Sequence, residues 1–405
     1  QINDAVRRIL MKKFELGLFD DPYRYLDEAR EAKVVESAEI RDHALRTAQN
    51  SIVLLKNESF NGNKLLPISR EPKSIAIVGP LGDNRVDLLG SWHASGDSNK
   101  VETIKEVMER TFPSSTVLYA EGCKTTGDDR SRMREAVRVA SQADFVVMTI
   151  GENYLQSGEA ASRSNIKLPG IQEELVKAIV STGKPVIAVV MAGRPLDLSW
   201  IDENVPAVIN GWHLGTMSSQ AIVDVLTGKV NPSGKLVSTF PRNVGQIPIY
   251  YSMKNTGRPF DADNKYTSKY LDVDNTPLYP FGYGLSYTSF EYGEPVISAD
   301  KIKIGDSINV KVEVTNTGEF SGKEVVQLYI QDLFADVTRP VKELKRFQKV
   351  SLEPGESKEV EFTLVEDDLA YYHQNWDWKV DAGKYSIYVG GNSRDVKSAS
   401  FELIN

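Results

Sequence analysis

The segment Phe145-Val146-Val147-Met148-Thr149-Ile150-Gly151 is an apolar run of strand length that stops at a glycine. It opens into Glu152-Asn153-Tyr154-Leu155-Gln156-Ser157-Gly158-Glu159-Ala160-Ala161-Ser162-Arg163, a polar loop rich in small residues. The run shows no apolar/polar alternation, so both faces of such a strand must be buried, as in a parallel sheet covered on two sides. Comparable runs occur at 74–79, Thr116–Ala120, Val186–Met191 and Ala207–Asn210, each bounded by Gly, Pro or polar turns. Helix-period segments lie between them at 101–112, 132–142, 171–181 and 218–227, and another precedes them at 37–55. Strands alternating with helices predict an open, mostly parallel α/β sheet with flanking helices over residues 29–245.

After Leu285 the period changes to two. Ile308, Val310, Val312 and Val314 alternate with polar residues, as do Val326, Leu328 and Ile330, then Val360, Phe362 and Leu364, then Tyr385, Ile387 and Val389. Turn residues at Asn316-Thr317-Gly318, Glu353-Pro354-Gly355 and Asp381-Ala382-Gly383 separate these strands. Residues 286–405 therefore read as an antiparallel β-sandwich. Residues 246–285 show no sustained period, but their aromatics argue for an ordered connection rather than a flexible linker. Residues 1–28 open inside a helix pattern (Ala5-Val6-Arg7-Arg8-Ile9-Leu10), so the expectation is that a further segment or domain lies upstream.

A net charge of -8, without any dense Lys/Arg block, gives no footprint for nucleic acid. No window approaches the ~18 consecutive apolar residues of a membrane-spanning helix, so a membrane partner is not expected. Cys123 is the only cysteine, which excludes an intrachain disulfide and a Cys-based metal cage. Four scattered histidines offer no ligand spacing either, so neither a metal nor another cofactor is expected. The nucleotide motifs fail: Gly79-Pro80-Leu81-Gly82 is not G-x-G-x-x-G, and Gly228 to Leu236 has one residue too many and no Ser/Thr for Mg²⁺. There is no G-x-S-x-G elbow.

Ligands of an open α/β sheet bind at the carboxyl ends of its strands, here the loops 82–93, 121–124, 152–163, 192–194 and 211–215. The loop 152–163 carries two carboxylates, Glu152 and Glu159, suited to general acid/base work; solvation, or a pairing with Arg163, is the bland alternative. Trp92 offers either an aromatic platform for a sugar face or a core contact. His93 and His213 read as acid/base candidates or as hydrogen-bonded structural groups. Trp376 and Trp378, near Tyr371 and Tyr372, read as sandwich core or inter-domain contacts before they read as a carbohydrate-binding strip.

Several phrases resemble family 3 glycoside hydrolases, above all the bacterial periplasmic β-glucosidases. They are Arg7-Arg8-Ile9-Leu10 with Lys13 to Asp20, Ile52 to Asn57, Leu65-Leu66-Pro67, Ser157 to Arg163 with Leu168-Pro169-Gly170, Asn231 to Leu236, Tyr279 to Thr288 and Glu324 to Tyr329. The likeness covers essentially the whole chain and implies that the sandwich is fibronectin-III-like. It further implies a retaining β-glucosidase acting on short β-glucosides or oligosaccharides, periplasmic or secreted, with Glu159 as acid/base. Glu152 would then be a sugar contact or a support behind the site, and Trp92 a wall of the leaving-group subsite. In that family the Asp nucleophile and the residues gripping the nonreducing sugar belong to an N-terminal (β/α)₈ barrel. No eight-fold βα pattern exists here, so a barrel domain or chain is the expected partner. A non-catalytic carbohydrate-binding or interaction module is the alternative, a nucleotide-dependent enzyme comes third, and homo-oligomerisation stays open.

Overall fold

The computed structural model describes residues 1–35 and 37–405. They form two compact units, residues 1–46 and 47–405. In the first, helix Ile2–Glu15 is followed by helix Glu28–Val34, whose N-terminus is capped by Asp27 accepting from the Arg30 amide.

The second unit is built on a six-stranded sheet. In chain order its strands are β1 (Val53–Asn57), β2 (Ser74–Val78), β3 (Thr116–Ala120), β4 (Phe145–Gly151), β5 (Val186–Met191) and β6 (Ala207–Asn210). They are arranged β1-β6-β5-β4-β2-β3, and every pair is parallel except β1 with β6. Helices Ile104–Thr111, Met133–Gln142, Gln172–Val180, Ser199–Asn204 and Ser218–Leu226 complete the α/β alternation. Alternation along β2, β4 and β5 sends Ala76, Val78, Val146, Met148, Ala188 and Val190 to one buried cluster with Ala136, Leu175 and Val176 of the helices. Ile75, Ile77, Val147, Ile187 and Val189 face the other side and are equally buried. Each such side chain contributes roughly 1.5–3 kcal/mol of transfer free energy, which is why a double-faced apolar run specifies this architecture. The helix Ile104–Thr111 starts at a capping box in which the Thr103 hydroxyl accepts from the Glu106 amide and the Glu106 carboxylate accepts from the Thr103 amide.

One element departs from the expectation. The helix read over 37–55 ends at Ser51, and Val53–Asn57 is the antiparallel edge strand β1. Ile52, Val53, Leu54 and Leu55 are all at most 1% exposed. The run continues the helical period by coincidence, but its β-branched pair and its burial on both faces suit the sheet.

The following region is a sandwich of two sheets. Strands Ile308–Asn316 and Ser357–Leu364 lie in one, and Gly322–Asp332, Glu343–Leu352, Gly383–Gly390 and Val396–Ile404 in the other. The alternating residues Val310, Val312, Val326, Leu328, Val360, Phe362, Ile387 and Val389 form the core between them. Against an all-antiparallel expectation, the short strand Lys301–Lys303 pairs parallel with Val396–Ile404.

The connection over 246–285 packs on the sandwich: Tyr251 stacks on Phe281 at 4.3 Å and meets Tyr329 edge-on at 5.6 Å. The Asn231 to Leu236 phrase is a junction device. Asn231 donates to Ser321 O and accepts from the Tyr287 amide and the Ser286 hydroxyl, while Lys235 bridges Glu324 at 3.0 Å with both side chains largely buried. These contacts join the α/β layer to the sandwich. Among the described residues no helix is long and apolar enough to cross a membrane.

Candidate active site

The carboxyl ends of β2, β4, β5 and β6 converge on a cavity of about 820 Å³ whose lining includes Ser91, Trp92, Gly158, Arg194, Trp212 and His213. Four of the five loops expected at the sheet's edge contribute to it; the loop after β3 does not.

The loop leaves β4 at Gly151, whose φ of +142° is open to glycine. A Cβ there would stand 1.7 Å from the Met191 carbonyl oxygen. Gln172, fully buried, secures this strand end: its side chain accepts from the Gly151 amide at 2.8 Å and donates to Gly151 O at 2.8 Å. Sequence reasoning missed Gln172, because its only signal is a polar residue at the start of an otherwise apolar helix face.

Glu152 is 0% exposed and accepts from every side. Arg163 reaches one carboxylate oxygen at 2.6 Å, the Arg194 Nε lies 3.0 Å from the same oxygen, and the Ser157 hydroxyl donates to the other at 2.5 Å. Arg194 also donates to Ala161 O at 2.6 Å and to Gln156 O, and the Gly193 amide donates to the Ser157 hydroxyl at 3.2 Å. The loop is thus wrapped around a buried carboxylate that three charge-assisted contacts hold in place. The pairing with Arg163 raised by the sequence is present. Its second partner, Arg194, lies on a different loop and carried no sequence signal. Buried and fully engaged, Glu152 does not present an oxygen to the cavity, so the sugar-contact reading gives way to a supporting one.

Glu159 stands on the same loop and is exposed, flanked by Gly158 at φ +94° and Ala160 at φ +58°. Glycine adopts such a φ freely, but at Ala160 it marks a conformation that the surrounding structure imposes rather than one the chain prefers. A Cβ on Gly158 would lie 3.1 Å from Ser91 Cβ and 3.4 Å from the Trp92 indole nitrogen, so Trp92 stands against the backbone next to Glu159. Trp92 is 75% exposed and lines the cavity, which excludes the core contact of the sequence reading.

His213 also lines the cavity, its Nε2 shut off from solvent and without a partner among the described residues. Burial holds its pKa below the ordinary 6.5, and the neighbouring Glu152 carboxylate only partly opposes this. The unfolded chain therefore takes up a proton that the folded chain refuses, so stability is fully present above ~6.5 and declines as pH falls below it. The thermal midpoint of the chain should drop on acidification from about pH 7.5 to about pH 5.5, and by less in His213→Gln. An equal drop in the variant would remove His213 from the account. His93 is a different case: its ring contacts Gly90 O and packs edge-on against Tyr154 at 5.5 Å, as a structural group would.

Residues 52–287 match the glycosyl hydrolase family 3 C-terminal domain, and residues 324–393 match a fibronectin type III-like domain. The chain belongs to the glycosyl hydrolase family 3 C-terminal domain family. Its relatives include a protein of Salmonella typhimurium named periplasmic beta-glucosidase, 41% identical over 430 residues, with 100% of this chain and 56% of that protein covered. Another is a beta-xylosidase of Formosa agariphila, 38% identical over 412 residues, covering 99% of this chain and 55% of that protein. Among solved structures, a mutant beta-glucosidase from Listeria innocua in complex with laminaribiose superposes with a TM-score of 0.91 at 37% identity, covering 99% of this chain and 54% of the other. The chain thus spans little more than half the length of the relatives it matches. As a family 3 C-terminal portion it carries the α/β layer and the fibronectin-III-like sandwich expected from the resemblance.

Proposed function

We propose that this chain is the acid/base-bearing part of a retaining β-glucosidase that acts on short β-glucosides together with a (β/α)₈ barrel domain. The observation that carries this reading is the placement of Glu159: an exposed carboxyl on a loop tied down by Glu152, beside a cavity walled by Trp92. Glu159 would protonate the glycosidic oxygen as the bond to the anomeric carbon breaks. It would then, as carboxylate, take a proton from the water that releases the sugar. The nucleophilic carboxylate belongs to the barrel and would stand ~5–5.5 Å from it. In this reading Trp92 receives the leaving-group portion on its ring face. The name of the Salmonella relative supports a periplasmic or secreted location.

The beta-xylosidase relative favours a second substrate, the β-xyloside, for the same chemistry. The test is hydrolysis of 4-nitrophenyl β-D-glucoside and β-D-xyloside by the isolated chain and by a protein that also contains the barrel. Turnover should require the barrel and be faster on the glucoside. Turnover by the isolated chain, or a barrel-containing protein inactive on both, contradicts the proposal.

A further inference from the structure

Two of the chain's five tryptophans, Trp376 and Trp378, lie outside the sandwich core. They sit on a hairpin formed by Tyr371–Tyr372 and Trp378–Lys379, where Trp376 is 82% exposed, Tyr372 60% and Trp378 49%. The core reading of these residues is therefore corrected. Burial stops at the hairpin's base because Tyr371 and His373 alone point inward, at 1% and 7% exposure.

That base is stapled. The His373 ring stacks on Tyr371 at 4.2 Å and its Nδ1 lies 3.1 Å from Asp336. The Tyr371 hydroxyl donates to Asp381 at 2.6 Å, and Arg339 lies over the Tyr371 ring at 4.5 Å. Gln374 donates to Asp336 O at 2.9 Å. On this fixed base Trp376 adopts φ +67°, a left-handed conformation that costs a tryptophan of order 1 kcal/mol or more. A residue that exposes a large apolar ring and sits in a disfavoured backbone state gains nothing for the fold of this chain. The arrangement is what a preorganised contact surface requires. Trp378 is oriented too: its indole N–H donates to Asp367 at 2.7 Å and its ring lies 4.9 Å from that of Tyr372, tilted by 59°.

We propose that this hairpin is a binding platform for an extended β-glucan chain, separate from the cavity beside Glu159. The rings offer flat apolar faces to the axial C–H surfaces of a pyranose, and Gln374, Asn375, Asp377 and Asp367 surround them with amide and carboxylate groups for equatorial hydroxyls. Lys379 is the only cation of the hairpin, which disfavours an anionic lipid surface or nucleic acid. The choice of β-glucan among polysaccharides rests on the proposed β-glucosidase reading. The platform would supply proximity, holding the enzyme where chain ends are abundant, and would contribute no group to bond cleavage.

The test is affinity electrophoresis of the 405-residue chain in gels containing laminarin, hydroxyethylcellulose or xylan, with Trp376→Gly, Trp378→Ala and Glu159→Ala as variants. Glycine adopts the left-handed conformation freely, so Trp376→Gly should unfold no earlier than wild type, which thermal scanning verifies. The wild type and Glu159→Ala should be retarded by a β-glucan, and Trp376→Gly should bind roughly tenfold more weakly, the loss of one aromatic face. Retardation that persists in Glu159→Ala keeps this result independent of the catalytic proposal. Unchanged wild-type mobility in both β-glucans, retardation by xylan alone, or equal retardation of the tryptophan variants would overturn the inference. So would a concentration-dependent dimer that Trp376→Gly abolishes without any glucan binding, since the occupant would then be a second copy.

Discussion

Glu159→Ala in the barrel-containing enzyme is expected to slow hydrolysis of glucosides with basic leaving groups by about 10²–10⁴-fold, the usual worth of a positioned general acid. The loss should shrink for 2,4-dinitrophenyl β-D-glucoside, whose leaving oxygen departs without a proton. The reason is the Brønsted dependence of proton transfer: assistance matters in proportion to the basicity of the oxygen being released. For the activated substrate the second step, attack of water on the glycosyl-enzyme, becomes the slow one, because the same residue serves as its base. The variant should therefore show a burst of dinitrophenolate followed by slow turnover. Measuring kcat and kcat/KM across a series of aryl glucosides checks this. A uniform loss for all leaving groups would assign Glu159 a structural role.

The second large effect belongs to Glu152→Gln, which preserves shape and removes the charge on which Arg163, Arg194 and Ser157 converge. The amide replaces one acceptor oxygen by donors facing other donors, and two guanidiniums lose their partner. Breaking a buried ion pair costs about 3–5 kcal/mol. The lower end applies, because the two arginine side chains retain 18% and 21% exposure and can recover some hydration. About 3 kcal/mol corresponds to a fall of roughly 6–12 °C in thermal midpoint for a domain of this class. Since Arg194 also holds Gln156 O and Ala161 O, the backbone on both sides of Glu159 is released, and kcat in the barrel-containing enzyme should fall while the leaving-group trend is kept. A midpoint within about 2 °C of wild type would show that the network carries little of the loop's stability.

The α/β layer was legible because its strands carry their own signal. A run such as Phe145–Gly151, apolar on both faces and ended by glycine, fits few other environments, and the helices between such runs keep a clean period. Ile52 to Leu55 failed the same reasoning because a short apolar run at a helix end fits either period, and only pairing with Ala207–Asn210 across the sheet decides it. At the candidate site, the loop and its exposed carboxylate Glu159 were visible among small residues, while the loop's supports were not. Arg194 and Gln172 act through contacts formed by chain segments 42 and 21 residues away, which no local pattern encodes. Trp376 misled for a related reason: aromatic residues near a β-sandwich usually fill it, and what turns this one outward is the backbone of a tight turn rather than its own character.

Azide addition to Glu159→Ala in the barrel-containing enzyme tests the central claim most directly. A small anion attacks the glycosyl-enzyme without needing a base, so it should restore turnover of 2,4-dinitrophenyl β-D-glucoside and yield β-glucosyl azide in proportion to the rate recovered. No acceleration, or release of glucose without the azide adduct, would contradict Glu159 as the acid/base.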